Sequence, residues 1–82
     1  MRVPRQWSGA DLRNALAVLG YEVTRQTGSH VRMTTRVRGE HHVTVPDHKA
    51  LPLGTLKAII RDVARHFEST PDEIVARLTG SQ

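Results

Sequence analysis

With 82 residues, of which 38% are hydrophobic, the chain is long enough for one domain with a thin core and too short for two. It lacks cysteine, which excludes a disulfide framework and a thiolate metal site, and no apolar run is long enough to cross a membrane. The net charge of +4 is concentrated in residues 1–66 and favours a polyanionic partner, although a solvated surface tuned for solubility explains it equally well.

The first element is an amphipathic helix predicted over residues 9–19. Ser8 followed by Asp11 resembles a capping box, in which each side chain accepts a hydrogen bond from the other residue's backbone N–H. Leucines and alanines then repeat at helical spacing, and Gly20 suits the position that ends a helix.

After Gly20 the hydrophobic period changes to two, which indicates strands. Short turns separate three such runs, over residues 21–26, 29–35 and 41–45, and Pro46 ends the last run. Short connections predict an antiparallel meander, with Val23 and Arg25 alternating on one face of its first strand.

Two helices complete the chain. The first begins at Gly54 or Thr55 and carries an apolar stripe that ends at Phe67. Thr70-Pro71-Asp72-Glu73 predicts a second helix start, and Gly80 closes that helix. The order α-β-β-β-α-α predicts an α+β fold, in which one face of a three-stranded antiparallel sheet carries helices and the other faces solvent or a ligand.

His30 is the main candidate for chemistry. If Val31 and Met33 point into the core, His30, Arg32 and Thr34 share the outer face of the sheet. An imidazole beside a guanidinium suits the handling of a phosphate, because Arg can hold two phosphate oxygens at once. An ordinary surface histidine after a turn is the competing interpretation.

The orientations of the other histidines are predicted from their places in the strands and loops. His41 and His42 are adjacent in a strand, so they face opposite sides: His41 inward as a hydrogen-bonded residue, His42 outward. No spacing typical of a metal site is present. His48 and Lys49 lie in the loop before the second helix, where they either contact phosphate or are simply solvated.

Three basic residues mark the second helix: Lys57, Arg61 and Arg65 recur at i, i+4 and i+8. Like charges at this spacing slightly destabilise an isolated helix, and a phosphate backbone would remove that penalty. The stripe therefore favours nucleic-acid contact over a purely solvated surface, although Asp62 interrupts it.

Several motifs in order resemble the HicA (YcfA-like) family of toxin mRNA interferases. They are Gly20-Tyr21, the run Arg25-Gln26-Thr27-Gly28-Ser29-His30, the run Val43-Thr44-Val45-Pro46 with His48, and the run from Gly54 to Arg61. The resemblance covers about residues 8–66. Many relatives have a second histidine where this chain has Val31, and the turn over 36–40 replaces a tighter one.

This resemblance implies a double-stranded-RNA-binding-like fold, cleavage of mRNA, and neutralisation by a HicB-type antitoxin. It places the family's active-site histidine on His30. We therefore expect a single domain over 1–82, with a core at about 8–66 and a helical extension at about 67–82. We also expect a cytoplasmic endoribonuclease that needs no cofactor, with RNA contacts from Ser29, Arg32, His48, Lys49, Lys57, Arg61 and Arg65. A non-catalytic RNA-binding module and a protein-interaction domain are the alternatives.

Overall fold

Helices and strands follow one another in the predicted order in the computed structural model, which describes residues 1–80. The elements are α1 (Gly9–Leu16), a 3-10 turn (Ala17–Leu19), β1 (Glu22–Thr27), β2 (His30–Thr35), β3 (His41–Pro46), α2 (Leu53–His66) and α3 (Pro71–Thr79). This order confirms the α+β fold. No helix within the described residues is long and apolar enough to cross a bilayer.

The helix ends are defined by local hydrogen bonds. Ser8 Oγ accepts from the Asp11 backbone N–H at 3.0 Å, and the Asp11 carboxylate accepts from the Ser8 N–H at 2.9 Å, which confirms the capping box. Thr70 caps α3 in the same way, with its Oγ1 3.1 Å from the Glu73 N. The α2 helix starts earlier than predicted, at Leu53, because Pro52 serves as its N-cap without a side-chain hydrogen bond.

The predicted first helix changes its winding near its end. Its last turn, Ala17–Leu19, is a 3-10 helix, which is tighter than an α-helix and is common where carbonyl groups at a helix end need partners. Gly20 then adopts a left-handed conformation with φ of 85°, as expected for the residue that ends a helix.

The sheet is an antiparallel meander in the order β1-β2-β3. Helices α1 and α2 pack against β3. The side chains buried beneath the helices are Val31 and Met33 of β2 and Val43 and Val45 of β3. Strand β1 lies at the edge, where all six of its residues are exposed. Even Val23, opposite buried Met33, is 53% exposed, because the helical layer does not extend over β1.

The two ends of the sheet have different neighbours. At one end, which we call the His30 end, His30 pairs with Pro46 and the Asp47 N–H donates to the Ser29 carbonyl at 2.6 Å. The first residue of α1 lies here too, since the Gly9 N–H donates to the His48 carbonyl at 2.8 Å.

At the opposite end, the last turns of α2 contact the sheet and the turn before β3. Asp62 meets His41 at 3.3 Å, and the His66 ring lies 2.9 Å from the Val37 carbonyl oxygen. Helix α2 therefore runs back along the sheet, so its first turn lies toward the His30 end.

Candidate nucleic-acid interface

His30 is placed by the tight turn that joins β1 to β2. Gly28 has φ of +58°, a left-handed value that favours glycine, and it occupies the first position of a two-residue hairpin loop. The carbonyl of Ser29 is held by the Asp47 N–H. His30 is consequently the first residue of β2, paired with Thr27 on one side and Pro46 on the other.

The imidazole of His30 is accessible. The residue is exposed and projects from the open face of the sheet, since the next residue, Val31, is buried on the helical side. The side chains of His41, His42 and His66 are each engaged in hydrogen bonds. Within residues 1–80, the His30 imidazole has no hydrogen bond or ion pair, so both ring nitrogens are available to a ligand.

Arg32 lies on the same face as His30, as predicted, and it has a companion that the sequence did not reveal. Arg25 of β1 stands directly opposite Arg32, because the pairing shifts by one residue between Val23 and Arg25. The expectation that Arg25 shares a face with Val23 is therefore wrong. A bulge of this kind adds one residue to a strand and moves the following side chains to the other face.

The only signal for Arg25 in the sequence was its charge at a position that strict alternation assigned to the core face. Neither Arg25 nor Arg32 has an ion-pair partner in the described part of the chain, and both are exposed. The open face next to His30 thus carries two arginines at opposite strand positions, and the guanidinium group binds phosphate in pairs of hydrogen bonds.

Thr34 departs from the expectation that it lines an open surface. It faces the same side as Arg32 but is only 7% exposed. The Thr24 hydroxyl lies 2.9 Å from the Thr34 hydroxyl, and His42 Nδ1 lies 2.7 Å from it. His42 faces outward as predicted, and its other nitrogen lies 3.2 Å from the Glu40 carboxylate. Polar side chains at this end bind one another and leave the His30 half of the face open.

The loop after β3 lies beside the turn that carries His30. His48 and Lys49 are exposed, and backbone hydrogen bonds of Asp47 to the Ser29 carbonyl and of the His48 carbonyl to the start of α1 hold their loop. The structure therefore brings Ser29, His30, His48 and Lys49 to one end of the molecule, although they come from two separate segments.

The basic stripe of α2 is not part of this surface. Helix α2 lies in the helical layer, so its outer side faces away from the open face of the sheet. Lys57 is half-buried and lies near the His30 end, whereas Arg61 is exposed one turn further on. Arg65 is already paired, with a nitrogen 2.7 Å from Asp62 Oδ1.

A partly buried polar network joins β3 to α2 at the far end. Tyr21 Oη lies 2.8 Å from His41 Nδ1, and His41 Nε2 lies 3.3 Å from Asp62. Burial, together with the negative charge of Asp62, raises the pKa of the Tyr21 phenol. The His41 ring also stacks on His66, with ring centres 4.5 Å apart. The prediction that His41 is a partly buried, hydrogen-bonded residue is confirmed.

No group of three or more His, Asp or Glu side chains within residues 1–80 is placed to hold a metal ion.

Comparison with known proteins assigns the chain to a family. A family model described as the HicA toxin of bacterial toxin–antitoxin systems matches residues 9–64. The chain belongs to the HicA toxin family. The HicA match includes the whole sheet and its open face, and it ends within α2; residues 1–8 and α3 lie outside it. No curated protein and no solved structure matches the chain.

Membership of the HicA family makes this chain the toxin of a bacterial toxin–antitoxin system. It also confirms the resemblance drawn from the ordered motifs of the sequence.

Proposed function

We propose that this toxin is an endoribonuclease that cleaves mRNA, with His30 as the general base and without a metal ion. The observation that carries the proposal is the exposed His30 imidazole, which has no partner within residues 1–80 and stands beside Arg32 on the open face of the sheet. A surface histidine with a structural role would be expected to hold a neighbour, as His42 does.

In the proposed reaction, a nitrogen of His30 accepts the proton of a ribose 2′-hydroxyl. The 2′ oxygen then forms a bond to the adjacent phosphorus, and the bond from phosphorus to the 5′ oxygen breaks. The 5′ oxygen leaves with the bonding electrons and takes up a proton from solvent. The products are a 2′,3′-cyclic phosphate and a 5′-hydroxyl. Histidine suits this role because its side chain exchanges protons near neutral pH.

Arg32 and Arg25 supply the charge stabilisation in this scheme. A positioned general base contributes on the order of 10²–10⁴-fold, so further rate enhancement has to come from groups that hold the developing negative charge. Arg25 and Arg32 occupy opposite positions on β1 and β2 next to His30, and Arg32 follows His30 on the same strand face at about 7 Å along the strand. That spacing suits neighbouring phosphates of one strand.

Contacts from Ser29, His48 and Lys49 extend the RNA surface around the His30 end. A single strand is the preferred substrate in this proposal, because a flexible strand can be brought into line for attack by the 2′-hydroxyl and because unpaired bases are open to recognition. Lys57, Arg61 and Arg65 provide secondary contacts only where the RNA bends toward the helical layer.

The antitoxin of this toxin, in our proposal, is of the HicB type and acts in the cytoplasm by covering the open face around His30. Its contact surface would carry carboxylates that meet Arg25 and Arg32, in the place where the RNA phosphates would otherwise lie. Binding of antitoxin and of RNA would then exclude each other.

The test compares the parent protein with His30→Ala on end-labelled RNA. The parent is expected to cut the RNA in the presence of EDTA and to leave 2′,3′-cyclic phosphate ends, whereas His30→Ala is expected to bind the RNA without cutting it. His42→Ala is the matched control, because His42 lies on the same face but is engaged by Thr34 and Glu40.

Three results would contradict the proposal. Cleavage by His30→Ala at the parental rate would remove His30 as the base. A strict requirement for a divalent metal would exclude the mechanism. Binding without cleavage by the parent would identify an RNA-binding module instead.

A further inference from the structure

A second basic site combines residues of the N-terminal segment, which precedes the HicA match, with two residues at the start of α2 that lie within it. A cleft of about 410 Å³ opens between the N-terminal segment and the start of α2. Six residues line it, and three of their side chains are cationic and none is acidic: Met1, Arg2, Val3, Arg5, Leu53 and Lys57.

The three cationic side chains of this cleft form no ion pair in the part of the chain that the structure describes. Some other basic residues form ion pairs with carboxylates, such as Arg13 with Asp47 at 2.9 Å. Within residues 1–80, no carboxylate lies within ion-pair distance of Arg2, Arg5 or Lys57.

Asp72 lines a neighbouring groove with Met1 and Arg2, and it pairs with the α-ammonium group of Met1 at 3.8 Å. Like charges held together repel one another, and a bound anion relieves that repulsion.

The cleft lies at the same end of the molecule as His30. The Leu51 N–H donates to the Trp7 carbonyl at 2.8 Å, which holds the N-terminal segment against the loop before α2. The same loop is bonded to the start of α1 through His48 and to the β1–β2 turn through Ser29. A continuous set of backbone hydrogen bonds therefore connects the segment bearing Arg2 and Arg5 to the turn that positions His30.

We propose that this cleft binds backbone phosphates of the RNA strand whose scissile bond lies at His30. The inference rests on the proposed ribonuclease function and adds a positioning site whose N-terminal side, with Arg2 and Arg5, precedes the family match, which begins at residue 9. The strand passes from the open face, around the loop bearing Lys49, and into the cleft. The cleft raises the affinity for RNA and takes no part in the chemical step.

The test uses the full chain with Arg2→Gln and Arg5→Gln combined, in a His30→Ala background that prevents cleavage. Binding of a labelled single-stranded RNA is measured over a range of salt concentrations. Each phosphate contact contributes about 0.7 to the slope of log affinity against log salt for single strands, so the double substitution is expected to reduce the slope by about 0.7 to 1.4. In the active background, KM is expected to rise while kcat stays unchanged.

The matched control is Arg38→Gln combined with Arg77→Gln. These two arginines line a groove bounded by the turn before β3 and by α3, away from the cleft, and their replacement removes the same total charge. The control is expected to leave the salt slope close to that of the parent. An equal effect from both pairs would overturn the proposal, because it would reflect net charge and not a site.

Two further outcomes separate this inference from the proposed function. A reduced slope together with no cleavage by the parent would support the cleft and refute the ribonuclease. A salt slope that is unchanged in the double variant would overturn the cleft as an RNA site even if the parent cleaves RNA. The same holds if the double variant binds RNA like the parent and loses affinity only for the antitoxin.

Discussion

Arg25 and Arg32 lie directly opposite each other across β1 and β2 and project from the same open face. Like charges in opposing strand positions destabilise a sheet, by an amount comparable to the roughly 0.2–1 kcal/mol that favourable pairs contribute. The sheet carries this unfavourable pair beside His30, in the place where an RNA phosphate would neutralise it. If RNA binds here as proposed, the pair would link a small loss of folding stability to the binding of a polyanion.

Replacing either arginine with glutamine is expected to change fold stability and RNA affinity in opposite directions. Arg25→Gln should raise the free energy of unfolding by about 0.2–1 kcal/mol, because the repulsion is removed, and should weaken RNA binding at the same time. Urea unfolding and RNA titration measure the two quantities. Added salt should reduce the gain in stability, since exposed charges are screened.

The control for this pair is Arg36→Gln, which removes an exposed arginine whose weak contact, at 3.9 Å, is with Glu40. It should not stabilise the fold. A loss of stability in Arg25→Gln, or an unchanged affinity for RNA, would contradict the role assigned to the pair.

Tyr21 should make the stability of the protein depend on alkaline pH. Burial and Asp62 raise the pKa of its phenol in the folded protein, so the unfolded chain loses this proton first. The raised pKa of Tyr21 contributes its full stabilisation of the folded protein below the ordinary tyrosine pKa of about 10. This stabilisation is lost as the pH rises above that value. The free energy of unfolding is therefore expected to fall above about pH 10 in the parent and to fall less in Tyr21→Phe.

Because Tyr21 is the only tyrosine, the ultraviolet absorbance of phenolate reports this residue alone. At neutral pH, Tyr21→Phe should lower the free energy of unfolding by about 1 kcal/mol, because the hydrogen bond between the Tyr21 hydroxyl and His41 is lost. A phenolate transition at the ordinary pKa in the folded parent would refute this account.

Gly9 should not tolerate a larger residue. A Cβ at this position would collide with the backbone carbonyl of Pro46, which cannot move without shifting the end of β3. Gly9→Ala is expected to reduce the free energy of unfolding by about 1–3 kcal/mol. It should also weaken RNA binding, since the loop bearing His48 is bonded to this residue.

Gly54→Ala is the matched change, because nothing lies within 4 Å of its Cβ position and the residue is in the first turn of α2. It should leave stability unchanged or raise it by up to about 1 kcal/mol. Thermal or urea unfolding of the two variants provides the comparison. Equal losses in both would show that close packing at Gly9 is not the cause.

The basic stripe of α2 should contribute to RNA binding unequally along its length. Lys57 lines the cleft at the start of the helix, whereas Arg65 is paired with Asp62 near the other end. Lys57→Gln is expected to reduce the salt slope of RNA binding by about 0.7, and Arg65→Gln to change it little. If Arg65→Gln weakens binding as much as Lys57→Gln, the RNA instead follows the whole helix.

Much of the fold could be predicted because its signals are local. The capping residues Ser8 and Thr70 act on backbone groups three residues away, and alternation along β2 was sufficient to place His30 and Arg32 on one face. Arg25 could not be placed, because the bulge before it depends on how β1 pairs with β2. The burial of Thr34 likewise depends on Thr24 and His42, which come from two other strands.

The amino-acid sequence by itself determined the order of the elements, the family and the outward position of His30, since each follows from spacing along a short stretch of chain. Only the tertiary structure decided that Arg25 joins Arg32, that Arg65 is paired with Asp62, and that the N-terminal arginines meet Lys57 in a cleft. The reason is physical: charges act through space, and which charges become neighbours is settled when distant segments pack together.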